Sequence, residues 1–121
     1  TIKNIKLPVS APFHCSLMNK ATNIMSNELN KLNFIEGENK LISNVTANEI
    51  SNTDELKTLL IKQIENRVRW RETVINMINR DINHFIEIGP GKVLSGLVKR
   101  ISKEVKIDTI NNQADIEGLK I

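Results

Sequence analysis

Strand-like segments alternate with amphipathic helices along this chain. That order predicts an α/β fold whose strands pair in parallel through helical crossovers. Two observations carry the prediction. His84-Phe85-Ile86-Glu87-Ile88 reads as a strand, Gly89-Pro90-Gly91 as its exit turn, and Val93 to Ile101 as a helix with Val93, Leu94, Leu97, Val98 and Ile101 inward. Val105 to Ile110, rich in β-branched residues, follows at once as the next strand.

The other elements follow in chain order. Residues 2–9 carry Ile2, Ile5, Leu7 and Val9 with Pro8, an extended segment at an edge or junction. From Ser16 to about Lys31 the apolar set Leu17, Met18, Ala21, Ile24, Met25 and Leu29, with Leu32 just beyond, keeps helical spacing. Leu41-Ile42-Ser43-Asn44-Val45-Thr46 reads as a short strand after the turn-like Gly37-Glu38-Asn39. Asn52-Thr53-Asp54-Glu55 is a helix start, with a capping side chain and two acids that suit the helix dipole. Leu56, Leu59, Leu60 and Ile64 supply that helix's stripe, and Trp70, Val74, Met77 and Ile78 supply the next. A short helix closes the chain. The expected sheet has three or four strands and an open edge that something else must cover.

At 121 residues, 40% hydrophobic and 26% charged, the chain is globular in composition. No apolar run approaches the roughly 20 residues that span a bilayer, so no membrane partner is expected. The first residues lack both an initiator Met and a signal-peptide core, and they read as a cut through a longer chain. The single cysteine, Cys15, favours a reducing, cytoplasmic setting. Asn44-Val45-Thr46 fits a glycosylation sequon by chance in that setting. Net charge is +3, but aromatics are only 3% and Tyr is absent, which leaves few stacking platforms and argues against nucleic acid.

Chemistry points first to His14, where the proline-punctuated Pro8-Val9-Ser10-Ala11-Pro12-Phe13 runs into the regular helix. Imidazole is the side chain suited to take a proton from an alcohol or thiol near neutral pH. It needs its other ring nitrogen pinned by an acceptor. Cys15 is adjacent, and helix neighbours point about 100° apart, so a Cys15–His14 dyad is not expected. Cys15 reads as a small buried hydrophobe. His84 reads as structural, and two histidines and one cysteine at unrelated spacings give no metal signature. Gly89-Pro90-Gly91-Lys92 is not a Walker A loop, because Ile86 and Val93 stand where Gly and Ser/Thr are required. Arg67 and Arg71 read as a solvated i,i+4 face around a core Trp70. Lys92, Lys99, Arg100 and Lys103 form a basic run that would suit an acidic protein partner.

Leu7 to Met18, Leu59 to Trp70 and Phe85 to Ile101, above all Ile86-Glu87-Ile88-Gly89-Pro90-Gly91-Lys92-Val93-Leu94 with Gly96-Leu97, resemble the C-terminal part of bacterial malonyl-CoA:acyl carrier protein transacylases. The resemblance implies transfer of a malonyl group from malonyl-CoA to the phosphopantetheine thiol of acyl carrier protein through a serine acyl-enzyme, in fatty-acid biosynthesis and with no metal or other cofactor. It makes His14 the general base, the backbone carbonyl of Gln63 its orienting acceptor, and Phe13 a wall of the acyl pocket that goes with malonyl selection. It implies an α/β-hydrolase-like large subdomain with an inserted ferredoxin-like one. Residues 1–9 are then the last strand of the small subdomain, and 10–121 the C-terminal part of the large one. The family often has proline after the asparagine that follows its glutamine, where this chain has Asn66-Arg67. No Gly-x-Ser-x-Gly elbow occurs here, so the chain is expected to be inactive by itself and to need the N-terminal part of the same enzyme. The alternative reading is a non-catalytic module that binds acyl carrier protein.

Overall fold

The computed structural model describes residues 10–119. The extended segment expected over residues 2–9, and with it the boundary of a small subdomain, lies outside the described residues. The chain forms two compact units that divide between Arg69 and Trp70.

In the first unit a single 3₁₀ turn, Ser16–Met18, leads into helix α1, Asn19–Asn30, and helix α2 runs Thr53–Lys62. The α2 start is built as its sequence demands. Asn52 Oδ1 accepts the Glu55 N–H at 2.9 Å, and the Glu55 carboxylate reaches back to the Ser51 N–H at 2.8 Å. This reciprocal bonding satisfies donors that the first helical turn leaves open. Helices α1 and α2 pack together.

Residues 41–46 are not the expected strand. Only Ile42 and Glu49 form an antiparallel bridge, and the chain reverses between them through a turn in which the Ala47 N–H bonds the Ser43 carbonyl at 2.9 Å. The Ser43 hydroxyl accepts the Val45 N–H at 3.1 Å, and Ala47 adopts a left-handed φ of 59°. A serine side chain that bonds backbone two residues on competes with strand pairing, and here it wins. Ser43, Ala47 and Leu59 form the buried heart of this unit.

The second unit is a small α/β assembly. Helix α3 spans Trp70–Ile78, strand β1 His84–Ile88, helix α4 Val93–Ile101, strand β2 Lys106–Ile110 and helix α5 Gln113–Gly118. Strands β1 and β2 pair in parallel, with His84 opposite Lys106 and Ile88 opposite Ile110, and α4 is the crossover between them. The sheet therefore has two strands among the described residues rather than three or four. The segment around Ile42, where the sequence predicts a strand, is a turn with one isolated bridge. Helix α4 packs on both strands and on α3, with Val74 and Val98 fully enclosed. Val98 faces inward as its spacing predicts, but Val93 and Leu94 are exposed. They occupy the first turn of α4. Trp70 is half-buried rather than core. Arg67 and Arg71 do not share a helix, because α2 has ended and α3 begins only at Trp70.

Candidate active site

Two segments that are far apart in sequence build this site inside the first unit. Ser10 to Phe13 approach as non-helical chain, and the Phe13 N–H closes a tight turn onto the Ala11 carbonyl at 2.9 Å. His14 then takes a left-handed φ of 60° before Cys15 returns to extended backbone and starts the 3₁₀ turn. Histidine is among the side chains that tolerate this region. Cys15 is half-buried, and its Sγ lies 3.1 Å from the Pro12 carbonyl, donating within its own turn.

The second segment is the exit of α2. The last carbonyls of a helix have no partner in its own ladder. At this end the Lys62 carbonyl collects the Asn66 N–H at 3.1 Å and the Asn66 side-chain amide at 2.7 Å. Asn66 thus supplies both of these donors, with no proline at the next position. The following carbonyl, that of Gln63, lies 2.9 Å from His14 Nδ1. A carbonyl can only accept, so in the neutral ring this bond places the hydrogen on Nδ1 and leaves Nε2 with its lone pair free. His14 and Gln63, paired in the sequence only through the family resemblance, are in contact here.

The exposed ring borders a groove of about 430 Å³ lined by Phe13, Met18, Met25, Ile64 and Val68, with Asn44 and Gln63 as its amides. Phe13 is half exposed on this groove. An apolar trough beside one proton acceptor suits the uncharged part of an acyl thioester.

The other positions considered take structural places. Gly89 and Gly91 have φ of 135° and 97°, so the turn after β1 requires glycine at both. The helix start behind them is occupied from within. Glu87 accepts the N–H groups of Leu94 at 3.0 Å and Ser95 at 2.7 Å, and Asn111 accepts that of Gly91 at 2.6 Å. Hydrogen bonding from Ser95, helped by Leu94, holds the Glu87 carboxyl below its ordinary value. This cap went unseen in the sequence, because it comes from the preceding strand and has no local spacing rule. It fills the place an external anion would use. His84 Nε2 meets Asp108 Oδ2 at 2.7 Å across the two strands, and Lys106 adds a contact at 3.4 Å. The His84 bond comes first in keeping the Asp108 carboxyl below its usual range. Lys92, Lys99, Arg100 and Lys103 are exposed. Among the described residues no three His, Cys, Asp or Glu side chains converge on a metal site, and no helix is long and apolar enough to cross a membrane.

No family model matches the chain. Individual proteins do. It is 36% identical over 112 residues to a malonyl CoA-acyl carrier protein transacylase of Staphylococcus aureus, a match that covers 93% of this chain and 36% of that protein. The crystal structure of an acyl-carrier-protein-S-malonyltransferase from Bartonella henselae superposes with a TM-score of 0.86 at 43% identity, over 93% of this chain and 36% of that one. A malonyl-transacylase solved in complex with its type II polyketide-synthase acyl-carrier protein gives a TM-score of 0.84 at 32% identity, over 92% and 36%. The chain thus spans little more than a third of the length of the relatives it matches. In sequence and in fold it belongs to the malonyl CoA-acyl carrier protein transacylase family, as the counterpart of a C-terminal stretch of those enzymes.

Proposed function

We propose that this chain carries the general-base part of a malonyl-CoA:acyl carrier protein transacylase of fatty-acid biosynthesis. The observation that carries the reading is the 2.9 Å bond from His14 Nδ1 to the Gln63 carbonyl, which leaves Nε2 as a proton acceptor beside an apolar groove. A serine on a Gly-x-Ser-x-Gly elbow gives its proton to Nε2 while its oxygen attacks the malonyl thioester. The imidazolium returns that proton to the departing CoA thiolate. In the second half the phosphopantetheine thiol of acyl carrier protein gives its proton to Nε2, its sulfur attacks the serine ester, and the serine oxygen takes the proton back. Gln63 orients the ring without adding a charge, and Phe13 stands against C2 of the acyl unit. The relative solved in complex with its carrier protein supports acyl carrier protein as the partner, and the exposed basic residues of α4 suit its acidity.

In this reading residues 10–121 complete an α/β-hydrolase-like subdomain in the cytoplasm. The serine comes from a segment that this chain does not contain, so the chain by itself is inactive. The test is a mass and transfer assay with malonyl-CoA and holo acyl carrier protein. The chain alone gives no malonyl adduct. A polypeptide that also carries the elbow-bearing part gives transfer, which His14→Ala lowers on the order of 100- to 10,000-fold. A malonyl adduct on the isolated chain would move the nucleophile to Cys15 and overturn the mechanism. Carrier binding with no transfer in the elbow-bearing polypeptide would make the chain a binding module.

A further inference from the structure

The Gln63 carbonyl orients His14, yet the α2 hydrogen-bond ladder does not fix where that carbonyl points, because Gln63 lies one residue beyond the end of the helix. The neighbouring loop does. The Asn44 side-chain amide reaches Gln63 Oε1 in a long hydrogen bond of 3.5 Å. The Asn44 carbonyl accepts the Arg69 N–H at 2.9 Å, and the Thr46 carbonyl accepts the Arg69 guanidinium at 3.4 Å. The segment that leaves α2 is therefore gripped at its first residue by the Asn44 side chain and at its last by the loop's backbone. The gripping loop is itself closed by Ser43 and Ala47, both buried, and by the left-handed turn at Ala47. Asn44 also borders the groove into which His14 faces.

We infer that Asn44 is a positioning residue for His14. It holds the Gln63 side chain, and through it the backbone carbonyl that sets the tautomer and direction of the ring. The inference rests on the reading of His14 as the general base, but its first test does not need activity. In the whole chain, long-range proton–nitrogen NMR of neutral His14 reads the tautomer directly. The parent shows hydrogen on Nδ1. Asn44→Ala shifts the population toward the Nε2–H form, Gln63→Ala, which keeps the backbone carbonyl, shifts it equally, and the double variant shifts it no further. Asn44→Asp restores the parent state, because the Gln63 amide can turn end for end and donate to the new carboxylate.

An unchanged tautomer in both single variants, or additive shifts, overturns the inference. Should Asn44→Ala fail to fold, Gln63→Ala removes the other end of the same contact and Asn44→Asp probes its repair, so the outcome is still decided. In the elbow-bearing transferase the expected loss for Asn44→Ala is about 3- to 10-fold in kcat with KM unchanged, the size of one hydrogen bond acting through a neighbour. A loss carried by KM instead would make Asn44 a substrate contact. A shifted tautomer in a parent that transfers nothing would sink the transferase reading and leave the positioning role. Transfer with an unshifted tautomer would do the reverse.

Discussion

At the scale of the residue, His14 is held by two unusual features that work together. Its left-handed backbone costs about 1–2 kcal/mol relative to ordinary helical geometry. It also turns the side chain off the line of α1 and onto the Gln63 carbonyl. The same turn leaves Phe13 on the groove beside the ring. If the aromatic ring excludes a methyl group at C2 of the acyl unit, Phe13→Ser raises the use of methylmalonyl relative to malonyl. The rise should be about tenfold, the low end of what one methyl group is worth in a pocket. Competition between the two thioesters in the elbow-bearing enzyme measures it, and an unchanged ratio would remove Phe13 from selection.

At the scale of the element, the β1–α4–β2 unit is held by side chains that the strands bring together. Glu87 caps α4 from β1, and Asp108 of β2 meets His84 of β1. The pH dependence of that second pair has a definite sign. The Asp108 carboxyl is held below its unfolded value, chiefly by the His84 bond and then by Lys106. Its contribution to stability is therefore complete above the ordinary Asp range and fades as pH falls through the lowered folded value. Asp108→Asn should lower the urea midpoint at pH 7, and the gap to the parent should close as the solution is acidified below the usual carboxylate range. A gap that stays constant down to strong acid would show that the carboxylate's charge contributes nothing.

At the scale of the whole molecule, much apolar surface is left open within each unit. Leu17, Ile24 and Leu32 on and beside α1 are exposed, and so are Ile88 and Val93 around the glycine turn. Among the described residues the sheet has only two strands, and such a pair is marginal in water and adds whatever strand it meets. The chain alone should therefore self-associate as its concentration rises, in sedimentation velocity, and the elbow-bearing part should suppress this by covering the same residues. A monomer at every concentration that also ignores that part would refute the picture.

Local chemistry was enough to bound β1, α4 and the start of α2, because each is written in consecutive residues: an apolar strand run, a Gly-Pro-Gly exit, an asparagine cap followed by acids. It was enough to single out His14 as well, as a histidine at the junction of an extended segment and a helix. It failed at residues 41–46, where apolar spacing suggested a strand but the Ser43 hydroxyl and the left-handed Ala47 reverse the chain. It failed also at the α4 cap and at the Asn44 grip on Gln63. Hydrogen bonds between residues far apart in the chain leave no periodicity to read. The separation of 49 positions between His14 and Gln63 is closed only when α2 ends at Lys62 and the next carbonyl is presented to the ring. Consecutive residues were enough for the elements whose signals are local, β1, α4 and the start of α2. Tertiary structure alone decided which ring nitrogen of His14 holds the proton, because that depends on an acceptor delivered from another helix.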